Sequence, residues 1–379
     1  MTDVFRHTLA HPMDGEIPIL PFGKSDARWD PGKVATARRL IAAYKATVSQ
    51  ENPLRRITDS DLWSALTRDH FGQMLSILQS EDAQQLSHYL VDFGREYTWF
   101  GGITTGVDGY THWDRDERFV AYSYFDKLVC LGEALGVLSA ESPEQGDSGK
   151  WGKNVQLAPS AIVDAIEAQL GIKIVPPAGT VHVAGLDVGS GLLHYRHINA
   201  LYLATRIQDL AAAEDGICEF GGGLGLATFY LNLFGRKNVT IFDLPIVNIL
   251  SGYFLIGTLG QDAVCLEGEE PRMDAIKIRA NWNCANVADG AFRITANQDS
   301  FPEINRRIFD EYARQIRRTT SGFLLSINHE GEQEIAGGER LLHVSKLLGT
   351  NPGFHRIYRS PYWLRRGYVE ELYRIDSLR

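Results

Sequence analysis

The stretch CEFGGGLGLATFYLNLFG, residues 218–235, places four glycines in five positions that begin two residues after the acid Glu219. Glycines between a strand and a helix permit positive φ and let a ligand touch the backbone, while the helix N-terminus offers free N–H donors. The next β-branched run, KNVTIFDLP, ends on a second acid, Asp243, 18 residues past Gly225. An acid in this place can accept hydrogen bonds from ribose hydroxyls. The pattern therefore predicts that an adenosine-bearing ligand binds between Glu219 and Asp243.

Two cofactor classes present an adenosine to such a loop, the dinucleotides and S-adenosylmethionine. The dinucleotide fingerprint G-x-G-x-x-G/A fails in every register, since its last position is Leu226 or Thr228. The pattern present is E-x-G-x-G-x-G, which resembles the first motif of the class I S-adenosylmethionine-dependent methyltransferases. The resemblance implies S-adenosylmethionine as the cofactor, bound by residues that include Glu219, Gly221, Gly223, Gly225 and Asp243.

Longer segments resemble the bacterial sugar O-methyltransferase family, between about residues 190 and 365. They are EFGGGLGLATFY, IFDLPIVNILSGYFL, NQDSFPEI, EYARQIRR and LLSINHE. This resemblance implies methyl transfer from S-adenosylmethionine to a hydroxyl of a small sugar-like or secondary-metabolite acceptor. An alternative keeps the cofactor but cyclises its own aminopropyl chain to azetidine-2-carboxylate, with release of methylthioadenosine. A non-catalytic binding module is the third option, which the polar segment NQDS disfavours.

Five residues outside the glycine loop are candidates for the site. The resemblance implies that Asn297 contacts the amino acid part of the cofactor and that Asp299 or Glu303 faces the acceptor. A carboxylate there would act as general base or oppose the sulfonium charge, although Asp299 also suits a helix cap. His329 ends the segment FLLSINH and is a candidate general base. Tyr195, on a helix leading into the glycine loop, would place its ring beside the sulfonium, a contact worth roughly 0.5 to 2 kcal/mol.

From residue 216 onward the sequence alternates strands and helices, which predicts a parallel sheet covered on both faces. The expected fold is a Rossmann-like class I methyltransferase sheet with a mainly helical N-terminal lid. We expect residues 1–180 to form the lid and substrate wall, with the aromatic segment 96–113 lining a pocket, and residues 181–379 to form the catalytic domain. The predicted strands are ICEF, VTIF, AVCL, FRITA, FLLSIN, HRIYRSPYWL and YVEELYRI.

The composition of the chain limits which binding partners, locations and metal sites are expected. With 379 residues and 44% hydrophobic content the chain can form two domains, and its net charge of −9 disfavours nucleic acid as a partner. The N-terminus lacks a secretory pattern and no apolar run reaches about 20 residues, so we expect a cytoplasmic protein without a membrane span. The four irregularly spaced cysteines predict reduced core thiols and no metal site. The expected partner is a small-molecule substrate, and a homodimer is one option for assembly.

Overall fold

The computed structural model describes residues 9–11, 17–24, 28–52, 63, 67, 71–93, 117–141, 152–178, 184–332, 334 and 340–376. The chain forms two compact units. The first unit draws on residues 1–28, 93–202 and 362–367, and the second on residues 29–92, 203–361 and 368–379. Each unit therefore combines segments that are distant in the sequence.

Helices are found throughout both units. Within the described residues they are α1 (Gly32–Val48), α2 (Gly72–Ser80), α3 (Ala83–Asp92), α4 (Glu117–Ala134), α5 (Pro159–Leu170), α6 (Tyr195–Leu210), α7 (Leu226–Leu233), α8 (Pro245–Leu259), α9 (Arg306–Thr319) and α10 (Val344–Gly349). Pro245 stands at the start of α8, where its fixed φ suits the first helical turn. Asn305 caps α9 by accepting a hydrogen bond from the backbone N–H of Arg307.

The strands form one sheet in each unit. They are β1 (Phe22–Lys24), β2 (Ala184–Asp187), β3 (Leu192–Leu193), β4 (Ile217–Phe220), β5 (Val239–Asp243), β6 (Val264–Cys265), β7 (Ile276–Ala280), β8 (Phe292–Gln298), β9 (Thr320–His329), β10 (Phe354–Pro361) and β11 (Tyr368–Ile375). In the first unit β1, β2 and β3 pair antiparallel in that order. The second unit contains the large sheet, in the order β10-β11-β9-β8-β4-β5-β7-β6.

The large sheet is mixed, with helices on both faces. Strands β4 to β9 are mutually parallel, and β11 lies antiparallel to β9 with β10 outside it. Every residue of β4 and β5 is buried, as expected for parallel strands covered on both faces. This arrangement confirms the predicted Rossmann-like sheet with helices on both faces.

The order of the strands locates the ligand-binding edge. After β4 the chain moves to β5 and β7 on one side, then crosses to β8 and β9 on the other side. Ligands of open α/β sheets bind outside the carboxyl ends of the strands at such a reversal of strand order. The reversal lies between β4 and β8, which pair directly at Glu219 and Ala296. The glycine loop leaves β4 at this edge.

Helix α1 packs closely against α8 within the second unit. A Cβ on Gly252 of α8 would lie 2.6 Å from Cδ2 of Leu40 in α1, so the two helices meet at a glycine. The guanidinium of Arg39 also donates to Glu269 Oε2 at 2.7 Å. Residues near the N-terminus thus complete the unit that contains the large sheet.

Several predicted elements need correction. The predicted strand AVCL is a two-residue edge strand, and the neighbour of β5 is instead β7, which the sequence analysis missed. The small first-unit sheet was also missed, because its strands are only two to four residues long. The aromatic segment 96–113 lies outside the described residues. The division at residues 180 and 181, which assigns lid and catalytic roles, stays a prediction. No helix among the described residues combines the length and apolar character needed to cross a membrane.

Candidate functional site

The glycine loop connects β4 to α7 and has a backbone that most residues would not tolerate. Gly221, Gly223 and Gly225 have φ values of 68°, 57° and 75°. The N–H of Gly221 donates to Phe242 O of the neighbouring strand at 2.8 Å, which fixes where the loop begins. The loop therefore starts in register with the sheet and turns at once through left-handed conformations that favour glycine.

The space around these glycines differs from one to the next. A Cβ on Gly221 would lie 2.0 Å from Ser300 Oγ, so the missing side chain lets the loop pack against the protein. A Cβ on Gly223 would meet no described protein atom within 4 Å. Packing within the protein explains Gly221, whereas at Gly223 the backbone borders open space that a ligand can occupy.

Asp243 is the last residue of β5, and its side chain is hydrogen-bonded to the glycine loop. Its Oδ2 accepts a hydrogen bond from the Gly223 N–H at 2.8 Å, and its Oδ1 accepts one from the Leu244 N–H at 2.7 Å. Burial raises the pKa of Asp243 to about 7, even though both N–H groups favour its charged form. The carboxyl is thus held beside the open glycine, and further hydrogen-bond donors would stabilise its ionised form.

Glu219 lies on β4 beneath the same loop. Its side chain is 5% exposed, and its Oε2 accepts a hydrogen bond from Thr228 Oγ1 of α7 at 3.2 Å. Burial raises the pKa of Glu219 to about 7, and the nearby charge of Asp243 adds to the shift. Two acids with raised pKa values therefore lie under one glycine loop.

Asn297, on β8, ties three strands together at this edge. It is completely buried, and its Nδ2 donates to Phe220 O at 2.8 Å and to Ser300 Oγ at 2.5 Å. Its Oδ1 accepts from Asn328 Nδ2 of β9 at 2.9 Å. This geometry gives Asn297 a positioning role for the glycine loop. Its contact with the amino acid part of a cofactor stays a prediction.

Asp299 follows β8 in an unusual backbone conformation. Its φ of 65° is rare for a residue with a side chain, and such positions are concentrated at functional sites. Its N–H donates to Ile327 O at 3.0 Å, and its Oδ1 accepts a hydrogen bond from the Tyr368 hydroxyl at 2.5 Å. The carboxylate thus faces β11, and the helix cap comes from Asn305 instead.

His329 lies next to the same tyrosine. It pairs with Tyr368 between β9 and β11, and the two rings meet edge to face at 5.5 Å. Its Nδ1 accepts a hydrogen bond from the Gly331 N–H at 3.1 Å, which places the proton of the neutral ring on Nε2. In this tautomer Nε2 is a donor, so the observed contacts do not prepare His329 to act as a base.

The adjacent acid, Glu330, is committed to an ion pair. Arg359 binds it through two hydrogen bonds of 2.7 and 2.8 Å, and this contact lowers the pKa of Glu330 to about 2.

Glu303 lies partly buried in a short turn after Asp299, where its N–H donates to Ser300 O at 3.2 Å. The proposed catalytic roles of Asp299, Glu303 and His329 stay predictions.

Tyr195 belongs to the first unit. Its ring contacts the rings of Tyr124 and His194, at centroid distances of 5.2 and 4.8 Å, and the guanidinium of Arg196 lies 5.1 Å from its centroid. The ring therefore already has a cation as a neighbour. Its predicted contact with a sulfonium stays a prediction.

The second unit thus brings most of the candidates to one edge. Glu219, the glycines and Asp243 form one group, which Asn297 joins to the turn carrying Asp299. Sequence reasoning missed Tyr368, which links Asp299 to His329 although it lies 69 residues beyond Asp299. No local motif marks such a residue. Only its place on an antiparallel strand beside β9 reveals it.

Comparisons by sequence give no relative. No family model matches the chain, and no curated protein matches it either.

Solved structures resemble the chain over about half its length. A protein from Pyrococcus horikoshii is 10% identical, with a TM-score of 0.37, over 48% of this chain and 92% of its own. An S-adenosylmethionine-dependent methyltransferase from Methanosarcina mazei is 13% identical, with a TM-score of 0.34, over 46% and 98%. Geranyl diphosphate C-methyltransferase from Streptomyces coelicolor is 12% identical, with a TM-score of 0.36, over 48% and 80%. At these scores the similarities carry no conclusion about activity.

Proposed function

We propose that the protein binds S-adenosylmethionine at the glycine loop and transfers its methyl group to a hydroxyl of a small acceptor. The observation that carries the proposal is the hydrogen bond from the N–H of Gly223 to Asp243, since Gly223 also borders open space. A nucleoside that approaches Gly223 would meet the carboxylate of Asp243, which can accept hydrogen bonds from both ribose hydroxyls.

The residues present fit this cofactor better than a dinucleotide. A pyrophosphate requires the glycine spacing of the dinucleotide fingerprint, which fails here at Leu226 and Thr228. The two buried acids, Glu219 and Asp243, would also repel a pyrophosphate. They favour a ligand that carries hydroxyl donors and a positive charge.

Each group of residues has a distinct task in the proposal. When bound, S-adenosylmethionine supplies a methyl group activated by its sulfonium sulfur. Asp243 and the loop amides hold the nucleoside end, while Asn297 keeps the loop in register with β8. In this proposal Asp299, which accepts a hydrogen bond from Tyr368, takes the hydroxyl proton of the acceptor. Holding the acceptor in line with the methyl group would supply much of the rate acceleration.

The test begins with binding. The purified full chain is titrated in a calorimeter with S-adenosylmethionine, adenosylhomocysteine and NAD in separate experiments. S-adenosylmethionine and adenosylhomocysteine should each bind with a stoichiometry of one, and NAD should not bind. Binding of NAD, or of none of the three, would overturn the proposal.

Product analysis then tests the reaction. Incubation with S-adenosylmethionine alone should leave the cofactor intact, and adenosylhomocysteine should accumulate only after hydroxylated acceptors are added. Formation of methylthioadenosine without an acceptor would instead assign cyclisation or lysis of the cofactor.

A further inference from the structure

The first unit contains a cluster of metal-ligating side chains that lies outside the proposed cofactor site. We propose that His11, Asp126 and Cys130 bind a divalent transition metal ion of the zinc type. Their ligand atoms all lie within 4.8 Å of one another. Asp126 and Cys130 stand four residues apart on α4, which places them on one face of the helix, and His11 comes from the N-terminal segment.

The three donor groups suit zinc in kind and in burial. Zinc is bound by imidazole nitrogen, thiolate sulfur and carboxylate oxygen. Asp126 and Cys130 are fully buried, and the His11 side chain is 15% exposed. The other three cysteines are also buried and free, but among the described residues only Cys130 belongs to such a group.

The two separations from His11 Nδ1 are close to those of a tetrahedral site. His11 Nδ1 lies 2.9 Å from Asp126 Oδ1 and 4.0 Å from Cys130 Sγ. Metal bonds of about 2.0 Å to nitrogen and oxygen and about 2.3 Å to sulfur would set these separations at about 3.3 and 3.5 Å. Each separation needs to change by only about half an ångström. A water molecule or hydroxide would fill the fourth position.

The second ring nitrogen of His11, Nε2, donates to a carboxylate, as ligating histidines do in many metal sites. His11 Nε2 donates to Glu133 Oε1 at 3.3 Å, and Asn154 Nδ2 donates to the same oxygen at 2.8 Å. A carboxylate on one ring nitrogen fixes the tautomer, so that the other nitrogen presents its lone pair to a metal. Glu133 is therefore a positioning residue that selects Nδ1 as the ligand.

Backbone contacts prepare the cluster further. Asp126 accepts hydrogen bonds from the N–H groups of Ala10 and His11, at 3.1 and 2.8 Å, and Tyr122 donates to the His11 carbonyl at 2.8 Å. The segment carrying His11 is thus attached to α4 at several points, which orders the site before a metal arrives.

The charges balance with and without a metal. Without one, His11 contacts the carboxylates of Asp126 and Glu133, and Lys127 Nζ lies 2.9 Å from Asp126 Oδ2. A divalent ion would displace the Nδ1 proton of His11 and the thiol proton of Cys130, and both protons would pass to solvent. The gain of two charges and the loss of two protons leave the net charge of the cluster unchanged.

Cobalt spectroscopy on the full chain tests the proposal directly. After chelator treatment, Co²⁺ should bind at one equivalent and produce a near-ultraviolet thiolate-to-cobalt band, which added Zn²⁺ removes. Cys130→Ser should abolish the band. Cys284→Ser, a matched change of a buried cysteine in the second unit, should leave it intact. Glu133→Gln should weaken Zn²⁺ binding about 10- to 100-fold, as expected for a partner of a ligating histidine.

Several results would overturn the proposal. If the wild-type protein retains no Co²⁺ after dialysis, the cluster is an ion-pair network only. A band that survives Cys130→Ser in folded protein would assign the metal to another cysteine. Should Cys130→Ser fail to fold, His11→Ala replaces it as the variant, and an unchanged Zn²⁺ affinity there would equally reject the site.

Discussion

Replacing the buried acid beneath the glycine loop, Glu219→Gln, should stabilise the ligand-free protein at alkaline pH. The pKa of Glu219 is raised by burial from 4.5 to about 7, so the folded protein resists ionising this group. A group with a raised pKa contributes stability below its unfolded pKa, and that stability is lost as the pH rises through the folded value. Glutamine keeps the acceptor for Thr228 Oγ1 and removes the charge.

The size of the effect follows from the same shift. At about 1.4 kcal/mol per pKa unit, ionising Glu219 in the folded state costs about 3 kcal/mol at pH 8 and less than about 1 kcal/mol at pH 5. The variant should therefore exceed the wild type in free energy of unfolding by about 3 kcal/mol at pH 8. Most of that difference should be absent at pH 5.

Urea unfolding followed by circular dichroism at both pH values measures this difference. Titrating groups distant from Glu219 cancel when the variant is compared with the wild type, so among its neighbours the coupling with Asp243 adds to the difference. Glu214→Gln, at an exposed position, serves as the control and should change stability equally at both pH values. If the Glu219→Gln difference is also independent of pH, or is destabilising at pH 8, then the buried acid is not held as the structure indicates.

Four further outcomes are expected. Asp243→Ala should weaken S-adenosylmethionine binding by about 1 to 3 kcal/mol in calorimetry, because the ribose loses its charged acceptor. In the wild type, affinity should rise from pH 6 and level off above pH 7, since burial raises the pKa of Asp243 to about 7 and hydroxyl donors favour the ionised form; a flat profile would count against the contact. Gly223→Val should abolish binding, whereas Gly235→Val, which introduces a side chain at a similar positive φ of 84° in open space, should keep it. Asn297→Ala should lower the free energy of unfolding by about 1 to 3 kcal/mol, because two buried partners lose their hydrogen bonds; unchanged stability would remove its anchoring role.

The large sheet could be predicted because its signals are local. The glycine loop, Asp243 and α8 each follow from a short run of residues whose pattern needs no distant partner. Strand β7 was missed because Lys277 and Arg279 interrupt its apolar residues, and the alternation resembles a surface strand. Its central position beside β5 becomes visible only when the sheet is assembled.

The side-chain clusters depend on contacts between distant parts of the chain. Tyr368 reaches Asp299 because an antiparallel strand returns beside β9, and no spacing in the sequence encodes that return. His11 and Cys130 lie 119 residues apart, so counting cysteine and histidine intervals could not join them. Local patterns predicted the glycine loop and the acid that follows the next strand, but not which side chains meet around them.

The packing of α1 against α8 has a consequence for synthesis on the ribosome. Helix α3 ends at Asp92, and α8 begins at Pro245, so α1, α2 and α3 leave the ribosome long before α8. At about 5 to 20 residues per second, the interval is about 8 to 30 s. During that time the apolar surface around Leu40 and Ile41 lacks its final cover. The nascent chain must keep this surface from aggregating until α8 is translated, so chaperones that act on growing chains would find an apolar target in α1.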